Sequence, residues 1–179
     1  HGPLLPSARD LGARFDRDLT TAQLQAHGQW MGGILASLGV NVDFAPVLDV
    51  DTCATNPIIG DRAFSADPQR VAELALAWAE GLHRAGVLSC GKHFPGHGDT
   101  QRDSHVEVPQ VDADRARLDA VELAPFRAAI AANMPTLMSA HVVYPALDPV
   151  HPATVSHAIC TTLLRQELGF QGLLFTDDL

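Results

Sequence analysis

Apolar residues along this chain fall into helical and strand-like spacings that alternate from one segment to the next. Apolar positions three or four residues apart indicate one face of a helix, whereas a short apolar run indicates a strand. Three helical segments begin at a capping residue and end at a glycine. They start at Thr20 or Thr21, Asp67 and Ser156, and they stop at Gly39, Gly86 and Gly169. A further helical segment, 112–133, is expected to divide at Pro125, because proline removes a backbone hydrogen bond.

Four apolar runs between these helices are predicted to be strands: 40–47, 87–90, 136–140 and 172–175. The order is therefore a helix, then strand and helix three times, then a strand. Such alternation implies a parallel sheet with helical crossovers, which is an α/β fold. The spacing leaves room for long loops after each strand, and these loops form the functional face of (β/α) barrels and open α/β sheets.

Each predicted strand leads into polar residues that can carry chemistry. These residues are, in strand order, Asp49 and Asp51, Lys92 and His93, His141, and Asp177 and Asp178. Because the carboxyl ends of parallel strands meet at one edge of a sheet, they are expected to surround a common site.

The segment 91–105, GKHFPGHGDTQRDSH, is the densest group of proton-handling residues in the chain. Asp103 and His105 are two residues apart, which puts both side chains on the same side of an extended loop. The Asp can then hold one tautomer of the His and raise its basicity, as in acid–base pairs. The alternative is an exposed loop pair. For His97, which lies between two glycines, catalytic and structural roles both stay open.

Asp177 directly follows the last predicted strand, so its carboxylate can attack the anomeric carbon of a sugar. The alternative is a helix N-cap, a role that suits Asp178 better. Arg62, in a second polar loop, offers fixed donors to a sugar hydroxyl or carboxylate, or else pairs with Asp61.

Several of these segments together resemble bacterial family 3 glycoside hydrolases of the NagZ type, the β-N-acetylglucosaminidases or β-hexosaminidases. The main motif is KHFPGHG at 92–98 followed by DSH at 103–105. The supporting segments are DFAPVLDV (43–50), IGDRAF (59–64), AHVVYP (140–145) and FTDDL (175–179). They occur in the family's order along nearly the whole chain.

The resemblance implies a (β/α)8 TIM-like barrel, of which residues 1–179 carry about four strands, as a partial catalytic domain truncated at both ends. It implies a retaining enzyme that releases terminal β-linked N-acetylglucosamine from cell-wall muropeptides, without metal or organic cofactor. The nucleophile falls on Asp177, and the acid/base falls on His105, paired with Asp103. The substrate-binding positions are Arg62, Lys92 and His93, and His141 is expected to line the same site.

Composition narrows the partners and the location. Lys plus Arg is 12 and Asp plus Glu is 21, so the net charge of −9 argues against a nucleic-acid surface. No apolar run is long enough to predict a membrane span. Cys53, Cys90 and Cys160 are odd in number and form no CxxC pattern, which favours a reducing, cytoplasmic setting. The expected protein is a cytoplasmic monomer whose partner is a small glycan.

Two other classes of function stay open. One is a metal-dependent barrel hydrolase, because six residues are plausible ligands: His93, His97, Asp103, His105, His141 and Asp177. The other is a non-catalytic, sugar-binding fragment.

Overall fold

The computed structural model describes residues 6–15, 17–53, 55–100 and 109–177. The α-helices are α1 (Ala8–Phe15), α2 (Thr21–Ser37), α3 (Pro68–Arg84), α4 (Arg115–Arg117) and α5 (Ala124–Ala131). Two π-helical segments, Leu118–Glu122 and Ala158–Glu167, and two 3₁₀ turns, Gly60–Arg62 and Ala153–Val155, complete the helical elements of these ranges. The strands are β1 (Val42–Asp43), β2 (Leu88–Phe94), β3 (Thr136–Ser139), β4 (Val143–Tyr144), β5 (Asp148–Pro152) and β6 (Leu173–Thr176).

A parallel four-stranded sheet in the order β1–β2–β3–β6 organises the chain. Each crossover between its strands contains helix, so the predicted α/β fold is confirmed. All four carboxyl ends lie at one edge of the sheet. Helices α3 and α5 pack against β2, and the rings of Phe94 in β2 and Phe126 in α5 meet edge to face with centroids 5.3 Å apart.

Helix boundaries agree with the capping signals. Thr20 accepts a hydrogen bond from the Gln23 amide while the Gln23 side chain accepts one from the Thr20 amide, which forms a capping box for α2. Asp67 caps α3 with a single bond, since its side chain accepts a hydrogen bond from the Gln69 amide. Pro125 lies in the first turn of α5, so the predicted division of 112–133 is also confirmed.

Leu24, Ile34 and Leu38 have the spacing that predicts one apolar face of α2, but the buried face of the helix differs. Ile34 and Leu38 are 40% and 74% exposed, and the buried positions are Leu24, Gly28 and Gly32. A Cβ on Gly28 would lie 2.4 Å from the Trp78 carbonyl oxygen of α3. The two helices therefore approach through glycines, and an apolar pattern cannot reveal a contact made by residues without side chains.

Other differences lie at strand ends and in short elements. The first strand has regular pairing only at Val42–Asp43, although single hydrogen bonds to β2 continue beyond it, and the Ala45–Pro46 bond is cis. The second is longer than predicted and includes the motif residues Gly91 to Phe94. Helix α1 and the β4–β5 hairpin have no counterpart among the predicted elements. Of the helices in the described ranges, none combines the length and hydropathy needed to cross a membrane.

Candidate active site

The segment after β1 follows β2 to the carboxyl edge of the sheet. The Lys92 amide donates to the Pro46 carbonyl at 3.2 Å, and the Leu48 amide donates to the Lys92 carbonyl at 2.6 Å. This pairing brings Asp49 beside His93. The Lys92–His93 and Phe94–Pro95 peptide bonds are both cis.

Asp49 is fully buried and binds His93 through both carboxylate oxygens. Its Oδ2 lies 2.6 Å from His93 Nδ1, and its Oδ1 accepts hydrogen bonds from the amides of His93 at 3.1 Å and His97 at 2.7 Å. Burial alone would raise the pKa of Asp49, but these bonds and its electrostatic interactions with the two histidine rings lower it below its ordinary value. The group is therefore an ionised acceptor at neutral pH.

The second ring nitrogen of His93 faces two further predicted site residues. Nε2 lies 3.5 Å from Arg62 Nη2 and 3.9 Å from Asp177 Oδ2. Arg62 thus approaches His93 rather than Asp61. Lys92 belongs to the same group, because the charges of Arg62 and Asp177 both act on it. We call Arg62, Lys92, His93 and Asp177 the strand-end cluster.

Charge and burial oppose each other at Lys92. Partial burial and the neighbouring Arg62 lower the pKa of Lys92, while the charges of Asp177 and Asp43 raise it. Burial raises the pKa of Asp43, and Lys92 opposes that shift. Two cationic side chains and one ring nitrogen therefore lie near the carboxylate of Asp177, whose side chain is 35% exposed. A polyhydroxylated ligand finds both donors and acceptors there.

The turn after His93 is held by Asn56, which is buried. Its amide nitrogen donates to the carbonyls of His97 at 3.0 Å and Gly98 at 2.9 Å and to the Thr100 hydroxyl at 3.2 Å. Its amide oxygen accepts from the amides of Ile58 and Ile59, both at 2.9 Å. One side chain thus joins the polar loop after β1 to the motif loop after β2.

His97 has a structural role in this turn. Its Nδ1 lies 2.9 Å from the Thr100 hydroxyl, its amide donates to Asp49, and its ring packs edge to face on His93 at 5.8 Å. Burial lowers the pKa of His97, so the ring is neutral at physiological pH.

The side chains of Tyr144 and Glu122 contact the same turn at Gly96. The Tyr144 hydroxyl, fully buried, donates to the Gly96 carbonyl at 2.7 Å. Gly96 has a φ of 135°, and a Cβ there would lie 2.7 Å from Glu122 Cβ, so only glycine fits. Glu122 is buried, and desolvation raises its pKa although Arg117 donates to it at 3.0 Å.

The remaining predicted site residues have different outcomes. Asp103 and His105 lie outside the described residues, so the acid/base assignment stays a prediction. No hydrogen bond or ion pair within the described ranges connects His141 to the strand-end cluster, and the buried Nδ1 of His141 has no described hydrogen-bond partner. His141 stays a prediction.

The metal-hydrolase alternative lacks a described ligand set. Within the residues that the structure describes, no three His, Cys, Asp or Glu side chains are grouped as metal ligands. That alternative depends on Asp103 and His105.

Of the two residues that organise the site, the sequence placed Asp49 at a strand end without assigning it a role, and it gave no indication of Asn56. Asp49 was recognisable only as a polar residue at a strand end, and Asn56 carries no periodicity or motif that would single it out. The nearest available signal for Asp49 was its place in the segment DFAPVLDV.

Comparison with known proteins gives a family match along the chain. The family model described as the glycosyl hydrolase family 3 N terminal domain matches residues 1–179. A β-hexosaminidase of Alkalilimnicola ehrlichii is 43% identical over 98% of this chain and 50% of its own length. The chain thus spans about half the length of that curated relative.

Solved structures agree with the sequence match. A glycoside hydrolase family 3 β-N-acetylglucosaminidase from Paenibacillus superimposes with a TM-score of 0.92 at 41% identity, over 98% of this chain and 33% of that one. NagZ from Neisseria gonorrhoeae, solved in complex with N-trifluoroacetyl-D-glucosamine, has a TM-score of 0.89 at 42% identity, over 98% and 52%. The predicted fold class, part of a TIM-like (β/α)8 barrel, is confirmed.

Proposed function

This chain belongs to the glycosyl hydrolase family 3 N-terminal domain family, and from that membership we propose that the protein is a retaining β-N-acetylglucosaminidase. The observation that carries the proposal is the position of Asp177 at the carboxyl end of β6, with its Oδ2 3.9 Å from His93 Nε2. Arg62 and Lys92 complete its surroundings. A carboxylate held beside these groups is suited to attack a bound sugar.

The proposed reaction has two steps. In the first, a carboxylate oxygen of Asp177 bonds to the anomeric carbon, the glycosidic C–O bond breaks, and His105 gives a proton to the leaving oxygen. In the second, water attacks the anomeric carbon, the glycosyl ester breaks, and His105 takes the proton from that water. Asp103 orients His105 and stabilises its charged form. Two inversions at one carbon give net retention.

Recognition of the sugar is assigned to the remaining cluster residues. Arg62 and Lys92 donate hydrogen bonds to sugar hydroxyls. His93 contacts a further hydroxyl through Nε2, and His141 is proposed to line the same site. The family resemblance extends the proposal to a muropeptide substrate in cell-wall recycling and to a cytoplasmic monomer without a cofactor.

Turnover and stereochemistry test this function together. The full-length protein should release N-acetylglucosamine from a chromogenic β-N-acetylglucosaminide, and proton NMR should detect the β-anomer before mutarotation. A first-formed α-anomer would contradict the retaining mechanism. Failure to hydrolyse any β-N-acetylglucosaminide would contradict the assigned substrate.

A further inference from the structure

We propose that Asp49 is a positioning residue: it holds His93 as the Nδ1–H tautomer, so that Nε2 accepts a hydrogen bond from a substrate hydroxyl. The inference rests on the proposed function and goes beyond it, because it assigns a task to a buried carboxylate that does not itself contact the substrate. It also gives the direction of the hydrogen bond at His93.

Asp49 uses both of its carboxylate oxygens in hydrogen bonds. Its Oδ1 accepts two backbone amides, those of His93 and His97, which fix the carboxylate in one orientation. Its Oδ2 is then aimed at His93 Nδ1, 2.6 Å away, in a site that solvent does not reach. An ionised carboxylate can only accept, so Nδ1 must carry the hydrogen.

The other ring nitrogen of His93, Nε2, faces a cation. Arg62 Nη2, a group that can only donate, lies 3.5 Å from His93 Nε2. The opposite tautomer would direct Nε2–H at this guanidinium and the lone pair of Nδ1 at the Asp49 carboxylate. Both contacts would then be repulsive. The two ends of the ring therefore select the same tautomer independently.

With the hydrogen on Nδ1, Nε2 can accept a hydrogen bond from a ligand. It faces the space beside Asp177, whose Oδ2 is 3.9 Å away, beyond hydrogen-bond distance. A hydroxyl bound between the two groups can donate to Nε2 and still accept from Arg62 or Lys92. Asp49 thereby converts an ambiguous ring into a fixed acceptor, and a fixed acceptor discriminates strongly against a sugar that lacks the hydroxyl.

Replacement of Asp49 by Asn tests the assignment with nearly constant volume. An amide that keeps accepting the backbone amides through its oxygen presents –NH₂ to Nδ1, which forces the hydrogen onto Nε2. We expect Asp49→Asn to lower kcat/KM for a β-N-acetylglucosaminide by roughly 10–100-fold, because the substrate hydroxyl loses its acceptor and meets a buried N–H instead.

A double-mutant cycle with His93→Ala separates positioning from general structure. If Asp49 acts through His93, Asp49→Asn should lower kcat/KM by less than about threefold in the His93→Ala background. Glu122→Gln is the matched control, because Glu122 is also a buried carboxylate but bonds Arg117. Its effect should be the same with and without His93. An equal fold loss of kcat/KM from Asp49→Asn in the wild type and in His93→Ala would overturn the proposal.

The tautomer can also be measured in the unmodified, full-length protein, so the test survives if a variant fails to fold. Long-range ¹H–¹⁵N correlation with labelled histidine should show His93 protonated at Nδ1 and bare at Nε2. Protonation at Nε2 alone would overturn the proposal. Absence of wild-type turnover would contradict the proposed function alone, whereas turnover combined with an additive cycle would contradict the role of Asp49 alone.

Discussion

The two sides of the candidate active site are built differently. On the β1–β2 side, Asp49, Asn56 and His97 are 0%, 6% and 5% exposed, and each makes several hydrogen bonds. On the β6 side, the Asp177 side chain is 35% exposed and lies at the end of its strand. The first side is a fixed framework, and the second presents a carboxylate to solvent and ligand.

The difference follows from the cost of burying polar groups. A buried amide or carboxylate stabilises the fold only when all of its hydrogen bonds are made, so the β1–β2 side must be complete. A nucleophile must instead leave space for the atom that it attacks. Substitutions on the first side should therefore change stability, and substitutions on the second should change activity alone.

Asp177→Ala should show the largest effect and should show it on activity only. Loss of the nucleophile is expected to lower kcat by about 10³-fold or more, while the free energy of unfolding changes by less than about 0.5 kcal/mol. Steady-state kinetics and urea unfolding of the full-length protein measure the two quantities. The exposed Asp18→Asn is the control. A large loss of stability in Asp177→Ala would erase the distinction between the two sides.

Asn56→Ala should affect stability first. It leaves the carbonyls of His97 and Gly98 and the amides of Ile58 and Ile59 without their side-chain partner. We expect a destabilisation of about 2–4 kcal/mol, measured by urea unfolding. The exposed Asn41→Ala should stay within about 0.5 kcal/mol. If the two variants are equally stable, Asn56 does not hold the turn.

His97 should give the smallest effect, visible in the pH dependence of stability. Burial and the charge of His93 lower the pKa of His97, while the charges of Asp49 and Asp177 oppose the shift. The unfolded chain therefore binds a proton near its ordinary pKa of 6.5, before the native state does, so stability falls as pH drops below that value.

Replacing the ring should remove this contribution. His97→Gln is expected to flatten the dependence of the unfolding free energy on pH between about 7 and 5. A slope in His97→Gln that matches the wild type would show that His97 does not titrate as a buried group. Asp49 contributes to the pH dependence at lower pH. Its lowered pKa stabilises the native state, and this stability is lost as the pH falls through that pKa.

Local signals predicted the frame of this fold and half of the site. Caps such as Thr20 and Asp67 and the four apolar runs were enough for the helices, the strands and the parallel sheet, because these features depend on neighbours in sequence. The close contact of α2 and α3 was not predictable from an apolar pattern, since it uses Gly28 and Gly32.

The candidate site also contains residues that local sequence predicted and residues that it did not. Strand-end position and family motif led to Arg62, Lys92, His93 and Asp177, which the structure groups together. Asp49 and Asn56 act on residues more than 40 positions away in sequence, through bonds that only the folded chain creates. No local pattern records such contacts.

Trapping of the glycosyl-enzyme tests the central claim most directly. The full-length protein is incubated with a fluorinated N-acetylglucosamine donor that has a good leaving group and slow hydrolysis of the ester, then digested and mapped by mass spectrometry. The account predicts one added sugar on the peptide that ends the β6 strand, with fragmentation assigning it to Asp177. A sugar found on Asp178 or Asp103 would contradict the account, as would hydrolysis that is inhibited without any covalent adduct.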